Sequence, residues 1–137
     1  MNLLDFGGKK PCRKHPEDAG ADVYALGDYL VLPHQTLRIP LGIGTEIPEG
    51  YVGFILPRSS MAAKGLVAQA VPIDSNYRGE IHAIVTNYNE TAVEIHYEDR
   101  IAQLVIVPCW LPTFEMINPS EASKTDRGAG AFGSTGR

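Results

Sequence analysis

The chain has 137 residues, of which 44% are hydrophobic, and a formal net charge of −4. This is room for one domain with a real core and not for a two-domain enzyme. The acidic balance excludes a general nucleic-acid binder, which needs a basic field to displace counterions, although locally convergent cations still allow a small anionic ligand.

No apolar run approaches the length of a membrane span and no basic-then-apolar leader opens the chain, so a cytoplasmic protein with no membrane partner is expected. Cys12 and Cys109 are too few for a disulfide framework and are expected as free thiols.

In chain order, Asp18-Ala-Gly-Ala-Asp-Val-Tyr24 presents Asp22 as the first strand begins. Leu37, Ile39, Leu41, Ile43, Thr45 and Ile47 follow with a strict period of two, and Pro40, Gly42 and Gly44 within that run imply an edge or a bend. After the Pro48-Glu49-Gly50 turn, Tyr51–Leu56 reads as an apolar strand. Pro57 then precedes a short helical stretch over Ser60–Lys64, with Ser59 and Ser60 at its start.

Val71–Gly79 reads as a tight turn between strands, with Asn76-Tyr77-Arg78-Gly79 of hairpin composition. Ile81–Asn87, Val93–Tyr97 and Ile101–Val107 give three more strands. A hairpin-like connector spans Asn87–Thr91, and Phe114 and Met116 mark a last short strand. Ten prolines and fourteen glycines punctuating short strands predict an all-β jelly roll or distorted β-barrel. The division expected is a barrel domain over 1–117 and a flexible glycine-rich C-terminal arm over 118–137, because no Val, Leu, Ile or Met follows Ile117.

Five segments carry residues that β-structure does not require. Asp22 is at a strand entry, and Arg58, Ser59 and Ser60 follow a strand where N–H groups can receive an anion. Asp74 stands beside apolar residues, where a carboxylate can orient a water and take its proton. Gln103 falls inside an apolar strand and needs a hydrogen-bond partner. In the tail, Arg127, Ser134 and Thr135 offer donors to phosphate, and Phe132 has only a flat partner such as a nucleobase to pack on. Taken singly, each has an ordinary structural explanation, as a turn residue, a helix cap or a linker. Metal centres and protein nucleophiles find little support: Cys12 and His15 are half of a zinc spacing, and no nucleophile elbow or Walker loop occurs.

In order along the chain, these segments resemble the five motifs of the trimeric dUTPase family: Ala19-Gly-Ala-Asp22, Pro57-Arg-Ser-Ser60, Ile73-Asp-Ser-Asn-Tyr-Arg-Gly-Glu80, Asp99-Arg-Ile-Ala-Gln-Leu104 and Arg127-Gly-Ala-Gly-Ala-Phe-Gly-Ser-Thr-Gly136. The departures are Ser60, Pro72, Asn76 and Ala131, none of which removes a polar group proposed for the chemistry. The resemblance implies a jelly roll assembled as a homotrimer, with each site built from three chains. It implies hydrolysis of dUTP to dUMP and pyrophosphate by water attack on the α-phosphorus, which limits uracil in DNA and supplies dUMP for dTMP synthesis.

By the same resemblance, Asp74 activates the water, Arg58, Ser59, Ser60 and Gln103 hold phosphates, and Asp22 acts through water on Mg²⁺ carried by the triphosphate. The segment from Val71 to His82, including Pro72 and Ile73, reads uracil, and Tyr77 packs on the deoxyribose. Phe132 stacks on the base as the arm closes, with Arg127, Gly133, Ser134 and Thr135 on the phosphates. Two alternatives are a dCTP deaminase-like or bifunctional enzyme, for which Glu80 is the nearest proton shuttle, and a non-catalytic β-module that binds a protein.

Overall fold

The computed structural model describes residues 1–133, 135 and 136. Eleven strands are present among them: β1 (Leu3–Asp5), β2 (Ala21–Tyr24), β3 (Tyr29–Val31), β4 (Thr36–Pro40), β5 (Ile43–Thr45), β6 (Tyr51–Leu56), β7 (Leu66–Ala68), β8 (Val71–Ile73), β9 (His82–Asn87), β10 (Val93–Ile95) and β11 (Arg100–Pro108). One helical turn, α1 (Ser59–Ala62), and a 3₁₀ turn at Pro119–Glu121 complete the regular structure.

All pairings are antiparallel. Two larger sheets, β2-β11-β6-β8 and β4-β9-β7, are accompanied by the two-stranded pairs β1-β5 and β10-β3. The period-two run explains why they pack. Ile39, Leu41, Ile43, Thr45 and Ile47 are all buried, and the four aliphatic ones meet Val23, Val31, Ile55, Val85 and Ile101 in one core. Pro40 ends β4, and Gly42 turns the chain into β5 at φ +68°, where a Cβ would lie 2.4 Å from the Gly8 Cα. The bend inferred from Pro40 and the glycines is therefore real, and only glycine fits it.

Three local expectations change. The 87–91 connector is not a hairpin: β9 pairs with β4 and β7, whereas β10 pairs with β3. The buried Asn87 holds this change of sheet, donating from Nδ2 to the carbonyls of Val31 (3.0 Å) and Thr91 (2.9 Å) and accepting from the Asn89 N–H (2.9 Å). Residues 74–81 likewise carry the chain from β8, on one sheet, to β9, on the other, and are a corner loop rather than a hairpin turn.

The third change lies beyond Pro108. Phe114 and Met116 are not in a strand but are 92% and 96% exposed, alongside exposed Trp110 and Leu111. They have strand composition, but a strand exists only with a pairing partner, and none pairs there among the described residues.

Candidate active site

The register of the larger sheet brings three of the five motifs into one row. Asp22 of β2 stands opposite Gln103 of β11, which stands opposite Leu56 of β6, and Pro57-Arg58 follows directly. Gln103, which needed a partner, has one: its Nε2 donates to the Pro57 carbonyl at 2.9 Å. Its amide lies over Gly20, where a Cβ would come within 1.9 Å of Gln103 Oε1. The first motif needs its glycine for this contact.

Arg58 sits at the N-terminal boundary of α1 in extended backbone, and the helix begins without a side-chain cap. Neither Ser59 nor Ser60 caps it; both occupy its first turn and are exposed. Arg58 turns back toward the sheet, donating from Nη1 to the Arg100 carbonyl (2.9 Å) and placing Nε 3.2 Å from Asp22 Oδ1. Arg100 Nη1 lies 3.7 Å from the other carboxylate oxygen. Asp22 is thus held between two guanidinium groups, with its side chain only 22% exposed.

The third motif forms a second cluster. Ile73 is buried at the end of β8 and Asp74 follows it, exposed, its carbonyl accepting from the Tyr77 N–H at 3.1 Å. Tyr77 folds over Gly79, where a Cβ would lie 2.2 Å from the tyrosine oxygen, and its hydroxyl donates to the Glu80 carbonyl at 2.8 Å. A cleft of about 250 Å³ runs past Pro72, Ile73, Asp74, Tyr77 and His82. Arg38, an outward position in the alternating run, also lines it and was not singled out from the sequence. Glu80, the nearest proton shuttle for a deaminase, instead accepts with its Oε1 from the Gly42 N–H at 3.1 Å.

The two clusters do not meet. Ile73 pairs with Gly53 near the start of β6, whereas the Asp22–Gln103–Leu56 row marks its end. From Gly53 to Leu56 the strand rises about 10 Å. Among the described residues, the arm's side chains make no hydrogen bond or ion pair to either cluster. Phe132 is fully exposed and Arg127 Nε donates to the Gly130 carbonyl at 2.7 Å. Gly133 and Thr135 are also exposed, and Ser134 lies outside the described residues.

Among the described residues no three His, Cys, Asp or Glu side chains gather as a metal cage. A lone carboxylate such as Asp22, its oxygens already turned to arginines, fits outer-sphere contact through water with a Mg²⁺ bound by phosphates, and does not fit a resident metal.

The dUTPase family model matches residues 8–136. The deoxyuridine 5'-triphosphate nucleotidohydrolase of Bdellovibrio bacteriovorus is 44% identical, over 98% of this chain and 93% of its own length. That of Chlamydia pneumoniae is 42% identical, over 97% of this chain and 94% of its own. Among solved structures, the Staphylococcus bacteriophage 80alpha dUTPase with dUpNHpp superposes with a TM-score of 0.93 at 28% identity, covering 99% of this chain and 98% of that one. A mutant dUTPase of S. aureus phage phi11, solved for its coordination of a structural Mg(II) ion, gives 0.83 at 25% identity, covering 90% and 98%.

Proposed function

Because the chain belongs to the dUTPase family, we infer that it hydrolyses dUTP to dUMP and pyrophosphate. The observation that carries our account of the site is Asp74, exposed at the rim of a cleft walled by Pro72 and Ile73. A carboxylate so placed can orient a water and accept its proton as that water attacks the α-phosphorus. Transfer of a phosphoryl group is mainly positioning and charge stabilisation, so no protein nucleophile is needed.

In this account Arg58, Ser59, Ser60 and Gln103 hold the phosphates, and Asp22 faces the metal through water. Mg²⁺, when bound, neutralises charge developing on the phosphate oxygens. Pro72, Ile73 and His82 frame the base, and Tyr77 lies against the sugar. Phe132 stacks on the base, with Arg127, Gly133, Ser134 and Thr135 closing on the phosphates.

Asp74 and Arg58 lie at opposite ends of β6, which supports a site completed by other copies of the chain. The homotrimer we propose would also cover Trp110, Leu111, Phe114 and Met116, which one chain leaves exposed. We divide the chain functionally into a 1–117 domain and a 118–137 arm. A cytoplasmic setting agrees with the two free cysteines.

The deaminase alternative loses ground, because Glu80 is engaged with the Gly42 N–H. Pyrophosphate release measured side by side with dUTP, dCTP, dTTP and UTP tests the reading. Release from dUTP alone is expected; equal turnover of dCTP would contradict it.

A further inference from the structure

We propose that Glu80 is a positioning residue that locks the 74–81 loop onto the β4–β5 bend and thereby sets how well the site separates dUTP from UTP. This rests on the placement of Tyr77 against the sugar proposed above.

The loop returns to the barrel through Ile81, whose N–H donates to the Ile43 carbonyl (2.8 Å) and whose carbonyl accepts from Leu41 (3.0 Å). Between these two residues, Gly42 faces the other way. Its carbonyl accepts from the N–H groups of Phe6 (3.0 Å) and Gly8 (2.9 Å), which leaves its own N–H to be satisfied from outside the ladder. Glu80 Oε1 meets it at 3.1 Å. A partly buried N–H bound by a carboxylate is a strong, directional anchor.

The same residue is held from its other side. The Glu80 carbonyl accepts the Tyr77 hydroxyl at 2.8 Å, so side chain and backbone of one residue join the bend to the tyrosine. Two glycines keep this stack tight. A Cβ on Gly79 would strike Tyr77, and a Cβ on Gly44 would lie 2.8 Å from the Gly79 carbonyl. The layers β5, Gly79 and Tyr77 are therefore in direct contact, and Glu80 keeps them in register.

Asp74 is secured separately, at the end of β8, by the pairing of Ile73 with Gly53. Loss of the Glu80 anchor should therefore disturb Tyr77 more than Asp74. A cap that served stability alone would lower the melting temperature and leave selectivity untouched.

The test compares Glu80→Ala, Glu80→Gln and the parent chain by kcat and KM on dUTP and UTP, together with hydrogen exchange at the Gly42 amide. Glu80→Ala is expected to cut the preference for dUTP over UTP by at least about tenfold, through KM for dUTP and admission of UTP rather than through kcat, since small misplacements of a positioning group are costly. Gly42 should lose exchange protection. Glu80→Gln keeps an acceptor oxygen and should recover both properties.

Parent-like selectivity in Glu80→Ala would overturn the proposal, as would a Glu80→Gln variant as impaired as the alanine. If Glu80→Ala does not fold, Glu80→Asp, one methylene short of Gly42, carries the same expectation and the same refutation. A parent chain that turns over UTP as readily as dUTP would instead sink the role of Tyr77, whereas unchanged Gly42 exchange in Glu80→Ala would sink the anchor alone.

Discussion

Replacing Gly20 by alanine should damage the site through a side chain more than eighty residues away. The new Cβ would lie 1.9 Å from Gln103 Oε1 and 2.7 Å from its Cδ, so the amide must swing aside. Its bond to the Pro57 carbonyl, now 2.9 Å, would then be lost. One such hydrogen bond is worth about 1 kcal/mol, and a displaced rotamer costs about 1 kcal/mol more. Gly20 is not in the left-handed region, so the stiffer unfolded chain returns about 0.5 kcal/mol. The balance is about 1.5 kcal/mol, a melting temperature lower by roughly 5 °C for a chain of this size.

Activity should suffer more than stability, because Pro57 anchors the segment that presents Arg58, Ser59 and Ser60. A fall in kcat/KM of at least about tenfold is expected. Thermal unfolding and steady-state dUTP hydrolysis are the assays, with Gln103→Ala as the reference. Since Gly20 is argued to act through Gln103, the double variant should be no worse than Gln103→Ala alone. Parent-like melting and turnover in Gly20→Ala would refute the reasoning, and so would losses that simply add in the double variant.

Three other outcomes are expected. Asp74→Asn should keep its melting temperature and its affinity for a non-hydrolysable dUTP analogue while kcat drops at least about a hundredfold, the scale for losing a general base; stopped-flow turnover beside calorimetric binding checks this. Asp22→Asn should cost about 1 kcal/mol of stability or less, as expected for an ion pair near the surface, yet raise the Mg²⁺ concentration needed for half-maximal rate, read from a metal titration. Truncation after Asn118 should leave unfolding and oligomeric state unchanged and remove most of the activity, with Phe132→Ala falling between by roughly 1–3 kcal/mol in transition-state stabilisation; kcat/KM and sedimentation velocity measure both.

The strands were legible wherever burial on one face imposes alternation, as from Leu37 to Ile47, or wherever an apolar run is bounded by turn residues, as in β6 and β11. What was not legible depends on distant pairing. The compositions of 74–81 and 87–91 say turn, but whether a turn returns to its own sheet or crosses to another is decided by partners far along the chain, here β4 and β3. The stretch from Trp110 to Ile117 has strand-like residues but pairs with no strand among the described residues.

At the site, the need of Gln103 for a partner was readable from its place in an apolar strand, although Pro57 as that partner was not. The pinning of Asp22 between Arg58 and Arg100 follows from the β2–β11–β6 register, which no local pattern encodes. Glu80 left a faint signal, an acid beside a glycine at the end of a turn, but its function depends on an N–H thirty-eight residues away.

The central claim is that one copy supplies Asp74 and another supplies Arg58 to the same site. Asp74→Asn and Arg58→Ala chains, each inactive alone, can be unfolded together in equal amounts and refolded. In a cyclic assembly in which every site takes the two residues from neighbouring copies, about one quarter of the sites would then hold both native residues. Recovery of about a quarter of the parent turnover in the mixture is predicted. No recovery, with mixed oligomers shown to have formed by mass spectrometry, would contradict a site shared between chains.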